Sequence, residues 1–206
     1  KLRIVALLVL LATASAALAN GGIPGWKVLL PLIAAGALAS AGSSVLNNYI
    51  DRDIDCLMQR TKNRPLPEGR IKDSRKMVML GLGLIGLSLL FSLWLNIWVA
   101  LCTLAGAFVY VVIYTRWLKR RSRWNIIIGG LAGSFASLAG GFSIFPQATP
   151  SQLTMAVLIF LWTPAHFWSF AILHHSDYQR ASVPMLPVVA GDRRACWHIL
   201  LYTFLL

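Results

Sequence analysis

Charge is scarce in this chain, and acid scarcest: charged residues make up 13% of 206, with seven Asp and Glu against nineteen Lys and Arg. With 57% hydrophobic residues and a mean hydropathy of +0.67, that scarcity excludes an ordinary soluble domain. Cysteine is nearly absent. Cys56, Cys102 and Cys196 form no C-x-x-C, which argues against a disulfide framework and leaves free thiols, the default in a reducing cytoplasm. No alternating strand pattern competes with helix, and an open sheet does not satisfy its backbone in a bilayer. No low-complexity tract or soluble domain is present. Nor does a nucleic-acid-binding motif accompany the net charge of +12, so the basic residues suit membrane lipid or an anionic substrate and no nucleic acid.

Long apolar runs are what remains. A membrane span needs about 20 apolar residues, and the chain divides into candidate spans at 4–19, 27–46, 77–95, 97–115, 124–145 and 153–173, with a seventh beginning near 195. Met77 to Thr115 carries no charge and is too long for one crossing, so it is read as two helices turning near Asn96. The first run is read as a true span, although its Ala-Ser-Ala-Ala-Leu-Ala-Asn ending also looks like a signal-peptidase site. The fold class is thus all-α, a polytopic transmembrane helical bundle. Residues 1–206 are expected to form a single transmembrane domain of about six spans plus the start of a seventh, truncated at both ends.

With these spans, Lys1 and Arg3, 51–76, 116–123 and 174–194 fall on one side of the membrane. That side holds 18 of the 19 Lys and Arg residues and all seven acids; Lys27 alone falls on the other. By the positive-inside rule it is cytoplasmic.

Asn47-Asn48-Tyr49-Ile50-Asp51-Arg52-Asp53-Ile54-Asp55 places three acids and two amides at the end of an apolar run. On a helix, residues four apart lie about 40° from one another, so Asn47, Asp51 and Asp55 share a face. Like charges at that spacing repel, and acids at a helix C-terminus meet the negative end of its dipole. A cation among them removes the cost, and carboxylate and amide oxygens are the ligands Mg²⁺ takes. The plainer reading is a solvated helix end whose acids pair with Arg52 and the basic residues beyond; the sequence as a whole favours the metal.

A basic loop follows: Arg60, Lys62, Arg64, Arg70 and Lys72, with Pro65 and Pro67 restricting its backbone. Acids that hold a divalent ion beside clustered Arg and Lys are what a diphosphate requires. A second cluster, Tyr114-Thr115-Arg116-Trp117-Leu118-Lys119-Arg120-Arg121, ends the fourth span and by itself needs no explanation beyond topology signalling. In the last loop, Asp177 suits either a further metal oxygen or a helix cap paired with Arg180. His166 lies within the sixth span beyond Pro164; an ionisable residue there is a functional candidate, against the alternative of a neutral ring bonded to a neighbouring helix. Gly129, Gly133, Ser137 and Gly141, beside Ala132, Ala136 and Gly140, form small-residue stripes that suit close helix packing.

The N-x-x-x-D-x-x-x-D pattern at Asn47, Asp51 and Asp55 resembles the first aspartate-rich motif of the UbiA superfamily of intramembrane prenyltransferases. "DRDID" followed by "MQRTKNRPL", "TPAHFW" in the sixth span and "DYQRASVPMLPV" in the last loop resemble its haem-farnesylating branch. The resemblance touches every cytoplasmic loop. It implies that Asn47, Asp51, Asp55 and Asp177 hold Mg²⁺ on farnesyl diphosphate. It implies too that Arg60, Lys62, Arg64, Tyr114, Lys119 and Arg120 receive the diphosphate, and that His166 positions haem b, as iron ligand or through a hydrogen bond. The implied reaction joins the farnesyl group to a haem vinyl group with addition of water, at a bacterial inner membrane. Haem A synthase or a terminal oxidase are the implied assembly partners. Many superfamily members carry two aspartates in the second motif; this loop has Asp177 alone, with His174 before it.

Rival readings differ in what they require. A quinone-type aromatic prenyltransferase shares the first motif but is expected to lack "TPAHFW" and "VPMLPV". A phospholipid-head-group transferase requires a D-G-x-x-A-R sequence that is absent. A channel or transporter needs acids along a pore, whereas no acid here lies within a span. A non-catalytic haem-binding assembly protein is served by His166 and the basic loops but has no use for a metal–diphosphate constellation.

Overall fold

The computed structural model describes residues 2–71 and 74–206. Lys1, Lys72 and Asp73, counted above among the cytoplasmic charges, lie outside the described residues. The elements run α1 (Leu2–Asn20), α2 (Trp26–Ile50), α3 (Arg52–Leu57), α4 (Ser74–Leu95) and α5 (Ile97–Phe108). A π-helical segment (Val109–Trp117) and a single 3₁₀ turn (Leu118–Arg120) follow, then α6 (Asn125–Phe142), α7 (Pro150–Leu173), α8 (His175–Arg180), α9 (Leu186–Ala190) and α10 (Asp192–Leu205). No strand occurs among the described residues. Six segments are long and apolar enough to cross a membrane: Leu2–Asn20, Trp26–Ile50, Arg75–Leu95, Ile97–Arg120, Asn125–Phe142 and Pro150–Leu173. Each overlays an expected span. Their outward faces carry exposed Leu, Trp and Phe, as a lipid-facing surface should.

Local chemistry accounts for the breaks. Asn96 is extended, and its side chain accepts the Val99 N–H at 3.0 Å, capping α5 and separating it from α4. Its amide also donates to the Phe142 carbonyl at 2.8 Å, tying that turn to the end of α6. Thr149 and Gln152 close a capping box ahead of Pro150, which needs no amide partner in a first helical turn. Past α5 the run continues to Arg120, but as a π-helix: Thr115 Oγ1 donates to the carbonyl of Tyr110, five residues back, at 2.7 Å.

The small-residue stripes serve close packing, each position against a different neighbour. A Cβ at Gly140 would stand 2.0 Å from the Ala12 carbonyl oxygen, so α1 and α6 touch backbone to backbone. One turn away, the Ser15 and Ser137 hydroxyls are 2.8 Å apart. Gly133 faces Ile159 of α7 and Gly129 faces the Tyr114 ring. The first apolar run is therefore packed into the bundle as a helix like the others. The largest buried cluster gathers the short helices against the bundle: Ile54 of α3 and Met58 just past it, Ile126, Trp168, Tyr178 of α8, Val183 and Met185, and Leu186 of α9. That packing fixes the loops bearing the chemistry.

Candidate active site

The acid motif keeps its shared face across a helix junction. Asp51 ends α2 and begins α3; its amide bonds to the Asn47 carbonyl at 2.9 Å, and the Asp55 amide to the Asp51 carbonyl at 2.8 Å. Four-residue periodicity therefore persists, and Asn47, Asp51 and Asp55 are only 3%, 1% and 3% exposed. A solvated helix end would not hide them. Both carboxylates are paired with basic residues beyond the helix end, one near and one far in sequence: Arg64 Nη1, from the loop that follows α3, lies 2.6 Å from Asp55 Oδ2, and Lys119 Nζ, from the end of the fourth span, 2.5 Å from Asp51 Oδ2. Arg52, the nearest candidate in sequence, instead sits over the Tyr49 ring at 4.5 Å.

Asn47 Nδ2 donates to Asp51 Oδ2 at 2.9 Å and to Thr115 Oγ1 at 3.0 Å, so the π-helical segment helps to orient the first acid. Arg64 also reaches Asn48 Oδ1 at 3.3 Å, and Thr61 Oγ1 donates to the Asp55 carbonyl at 2.9 Å. Tyr110 and Tyr114 stack with ring centres 5.9 Å apart on the same segment. Sequence reasoning missed Thr115, Asn48, Thr61 and Tyr110. Nothing in their spacing sets them apart, since each matters only through a contact made by folding.

The remaining expected site residues are distributed unevenly. Arg60 extends over the Phe170 ring, 5.1 Å from its centre. Lys62 is exposed on the same loop. Arg120 is engaged elsewhere: it forks onto both oxygens of Asp53 at 2.6 and 2.7 Å and donates to the Ile50 carbonyl at 2.7 Å. Asp53 is two residues from each of Asp51 and Asp55, which on a helix turns it about 160° from them, and its side chain is 60% exposed. The Arg120 guanidinium holds the Asp53 carboxyl below the usual carboxylate range. Arg120 thus clamps the outer face of α3.

Asp177 is occupied as a loop anchor. Its oxygens accept the amides of Gln59 at 3.1 Å and Arg60 at 3.4 Å, and the Arg180 guanidinium at 2.5 Å. Burial pushes its carboxyl up, but these donors outweigh it and leave it below its ordinary value. His166 lies on the exposed side of α7, stacked on Trp162 at 4.4 Å and edge-on to Phe167 at 5.3 Å.

Among the described residues, no three His, Cys, Asp or Glu side chains converge into a ready-made metal cage. Mg²⁺ does not call for one: it is usually held by one or two carboxylates, with water and substrate phosphates completing the shell. Asp51 Oδ1 fits that demand. It is buried and accepts no hydrogen bond, on a residue whose other oxygen is held by Lys119 and Asn47. A buried carboxylate oxygen left without a donor is costly unless a cation meets it.

The bundle and its buried acids define an integral, multi-pass membrane protein whose candidate chemistry is gathered at one end of the helices. More narrowly, the chain belongs to the UbiA prenyltransferase family, which residues 7–206 match. It is 44% identical over 201 residues to a protoheme IX farnesyltransferase of Roseiflexus castenholzii, covering 97% of this chain and 37% of that protein. It is 43% identical over 196 residues to protoheme IX farnesyltransferase 2 of Paramagnetospirillum magneticum, covering 93% and 67% respectively. The chain therefore spans between about a third and two thirds of the length of these curated relatives. A UbiA homologue from Archaeoglobus fulgidus, solved with GPP and Mg²⁺, shares the fold: TM-score 0.83, 22% identity, 99% of this chain and 72% of that one.

Proposed function

We propose that the protein transfers the farnesyl group of farnesyl diphosphate to a vinyl group of protohaem IX, giving haem O. The observation that carries the reading is the buried Asp51–Asp55 pair, with one unpartnered oxygen and with Lys119 and Arg64 in contact. The family and the names of its relatives support the same chemistry, and the bound GPP and Mg²⁺ of the Archaeoglobus homologue support a prenyl diphosphate with a divalent ion.

Asp51 and Asp55, assisted by Asn47, would hold Mg²⁺, which when bound neutralises charge on the leaving diphosphate. Arg64 and Lys119, already among the acids, turn from them to the diphosphate oxygens; Arg60, Lys62 and the Tyr114 hydroxyl add donors around it. Their task is to stabilise charge that grows as the bond from oxygen to the first farnesyl carbon breaks. The vinyl carbon of haem attacks that allylic carbon, water adds to the cation left on the haem side chain, and a proton is released. Atoms balance as farnesyl diphosphate, haem b and water giving haem O and diphosphate. His166, stacked on Trp162, offers a flat aromatic surface and an imidazole to position the haem. Asp177 keeps Gln59 and Arg60 in place. The site faces the cytoplasm of a bacterial inner membrane, following the charge bias of the loops.

The test supplies membranes bearing the protein with haem b, farnesyl diphosphate and Mg²⁺, and weighs the pigments by mass. A hydrated, farnesylated haem that disappears with EDTA is expected. Prenylation of an added hydroxybenzoate in its place would overturn haem as the acceptor.

A further inference from the structure

The outer side of α3 carries a second, unassigned feature. Ile50, Arg52, Asp53, Arg116 and Arg120 line an open cleft of about 330 Å³ at the end of α2. An apolar groove of about 190 Å³ adjoins it, sharing Ile50 and Arg116 and continuing along Leu46, Tyr49, Val78, Val111 and Val112, between α2, α4 and the π-helical segment. Three arginines and one carboxylate line the cleft; Arg120 already forks that carboxylate, and Arg52 lies over the Tyr49 ring. Arg116 is exposed and makes no ion pair among the described residues. Trp117 beside it is 54% exposed, as expected of a residue at the headgroup level. Asp51 and Asp55 are buried on the opposite side of α3, so this cleft is not the acid site seen from another direction.

A polar, cationic head joined to an apolar trough at a membrane rim matches an amphiphile with an anionic head. We infer that this cleft and groove bind one anionic glycerophospholipid, its phosphate on Arg116 and Arg52 and its first acyl segment along Val111 and Val112. The occupied site would brace Arg120 against Asp53 and so steady the short helix that carries Asp51 and Asp55 on its other face. Charge complementarity selects an anionic over a zwitterionic lipid: with Arg120 held by Asp53 and Arg52 stacked on Tyr49, Arg116 supplies the charge that discriminates, and one basic residue near the membrane surface adds about 1 kcal/mol of attraction, a factor of about five in affinity.

Native mass spectrometry of the purified protein, given equal amounts of phosphatidylglycerol and phosphatidylcholine, reads this directly. One retained phosphatidylglycerol per chain is expected, favoured by about fivefold. Arg116→Gln should bring that preference close to parity. Val112→Trp, which fills the groove and leaves the charges alone, should abolish retention, and it decides the matter if the arginine variant folds poorly. Arg193→Gln, at the remote start of α10, should change nothing. Equal retention of the two lipids by the parent protein would overturn the inference, as would a preference untouched by both cleft variants. Equal loss in Arg193→Gln would reduce the effect to diffuse charge. One-for-one displacement of the lipid by inorganic diphosphate would assign the cleft to a free anion and refute the lipid site. All these outcomes are independent of whether the protein farnesylates haem.

Discussion

Replacing Asp51 by Asn keeps the shape of the side chain and removes its charge, leaving the Lys119 ammonium facing a neutral amide. The Lys119 side chain is 11% exposed and Asp51 1%, so the pair is buried. Deleting one partner of a buried pair costs about 3–5 kcal/mol, since the other charge is left uncompensated. The flexible lysine stem can carry its head toward the rim, which places the expected loss near the lower end. For a chain of this size that corresponds to a drop of roughly 6–12 °C in Tm. Adding Lys119→Met removes the stranded charge while filling the same space, and the double variant should recover to within about 1 kcal/mol of the parent. Thermal unfolding in detergent, followed by tryptophan fluorescence, measures all three proteins. Calorimetric titration with a prenyl diphosphate and Mg²⁺ supplies the functional half, and both variants should fail to bind in a Mg²⁺-dependent way. A single variant that loses less than about 1 kcal/mol, or a double variant no more stable than the single, would refute the buried pair. Full Mg²⁺-dependent binding by the double variant would refute the metal assignment while sparing the pair.

Asp177→Asn should speed hydrogen exchange at the Gln59 and Arg60 amides about tenfold or more, the worth of a hydrogen bond to a charged acceptor, without altering the Mg²⁺ concentration for half-maximal turnover. A shifted Mg²⁺ requirement with unchanged exchange would make Asp177 a ligand. The same carboxyl gives a pH prediction: its folded pKa lies below its unfolded value of about 3.9, so its contribution is complete above that value and is lost as pH falls through the lower folded one. Protection of those two amides should hold down to about pH 4 and decline only below it; a decline centred near neutrality would contradict the anchor. Gly140→Ala should cost about 1–3 kcal/mol, because its new methyl group meets the Ala12 backbone. Gly141→Ala should cost less, since it meets the Gln152 side chain, and comparable losses in thermal unfolding would argue against the notch between α1 and α6.

The spans were legible because hydrocarbon thickness sets a length that composition alone reveals, and Asn96 was legible because a polar residue interrupts an otherwise uncharged run. The shared face of Asn47, Asp51 and Asp55 followed from helical period and survived the junction at Asp51. The choice of partners did not follow. Lys119 reaches Asp51 across 68 positions, and which basic residue does so depends on how the fourth span is rotated about its axis. A span apolar on nearly every side carries little record of that rotation. The same limit explains why Arg120 reads from sequence as a diphosphate ligand but in the fold is held by Asp53. Asp177 was open to two readings, because a carboxylate that caps amides and one that binds a metal need identical neighbours in sequence.

The π-helical stretch from Val109 to Trp117 acts as a phase correction. In an α-helix, residues five apart diverge by about 140°; here Tyr110 and Thr115 meet through a hydrogen bond, and the chain beyond them arrives at the membrane surface already turned. Removal of one residue from this span, with its winding otherwise kept, would swing Lys119 and Arg120 by about 100°. Hydropathy would be unchanged and the segment would still cross the bilayer. Both clamps, on Asp51 and on Asp53, would point elsewhere. Fidelity in the number of residues, more than in their polarity, is what this span must preserve.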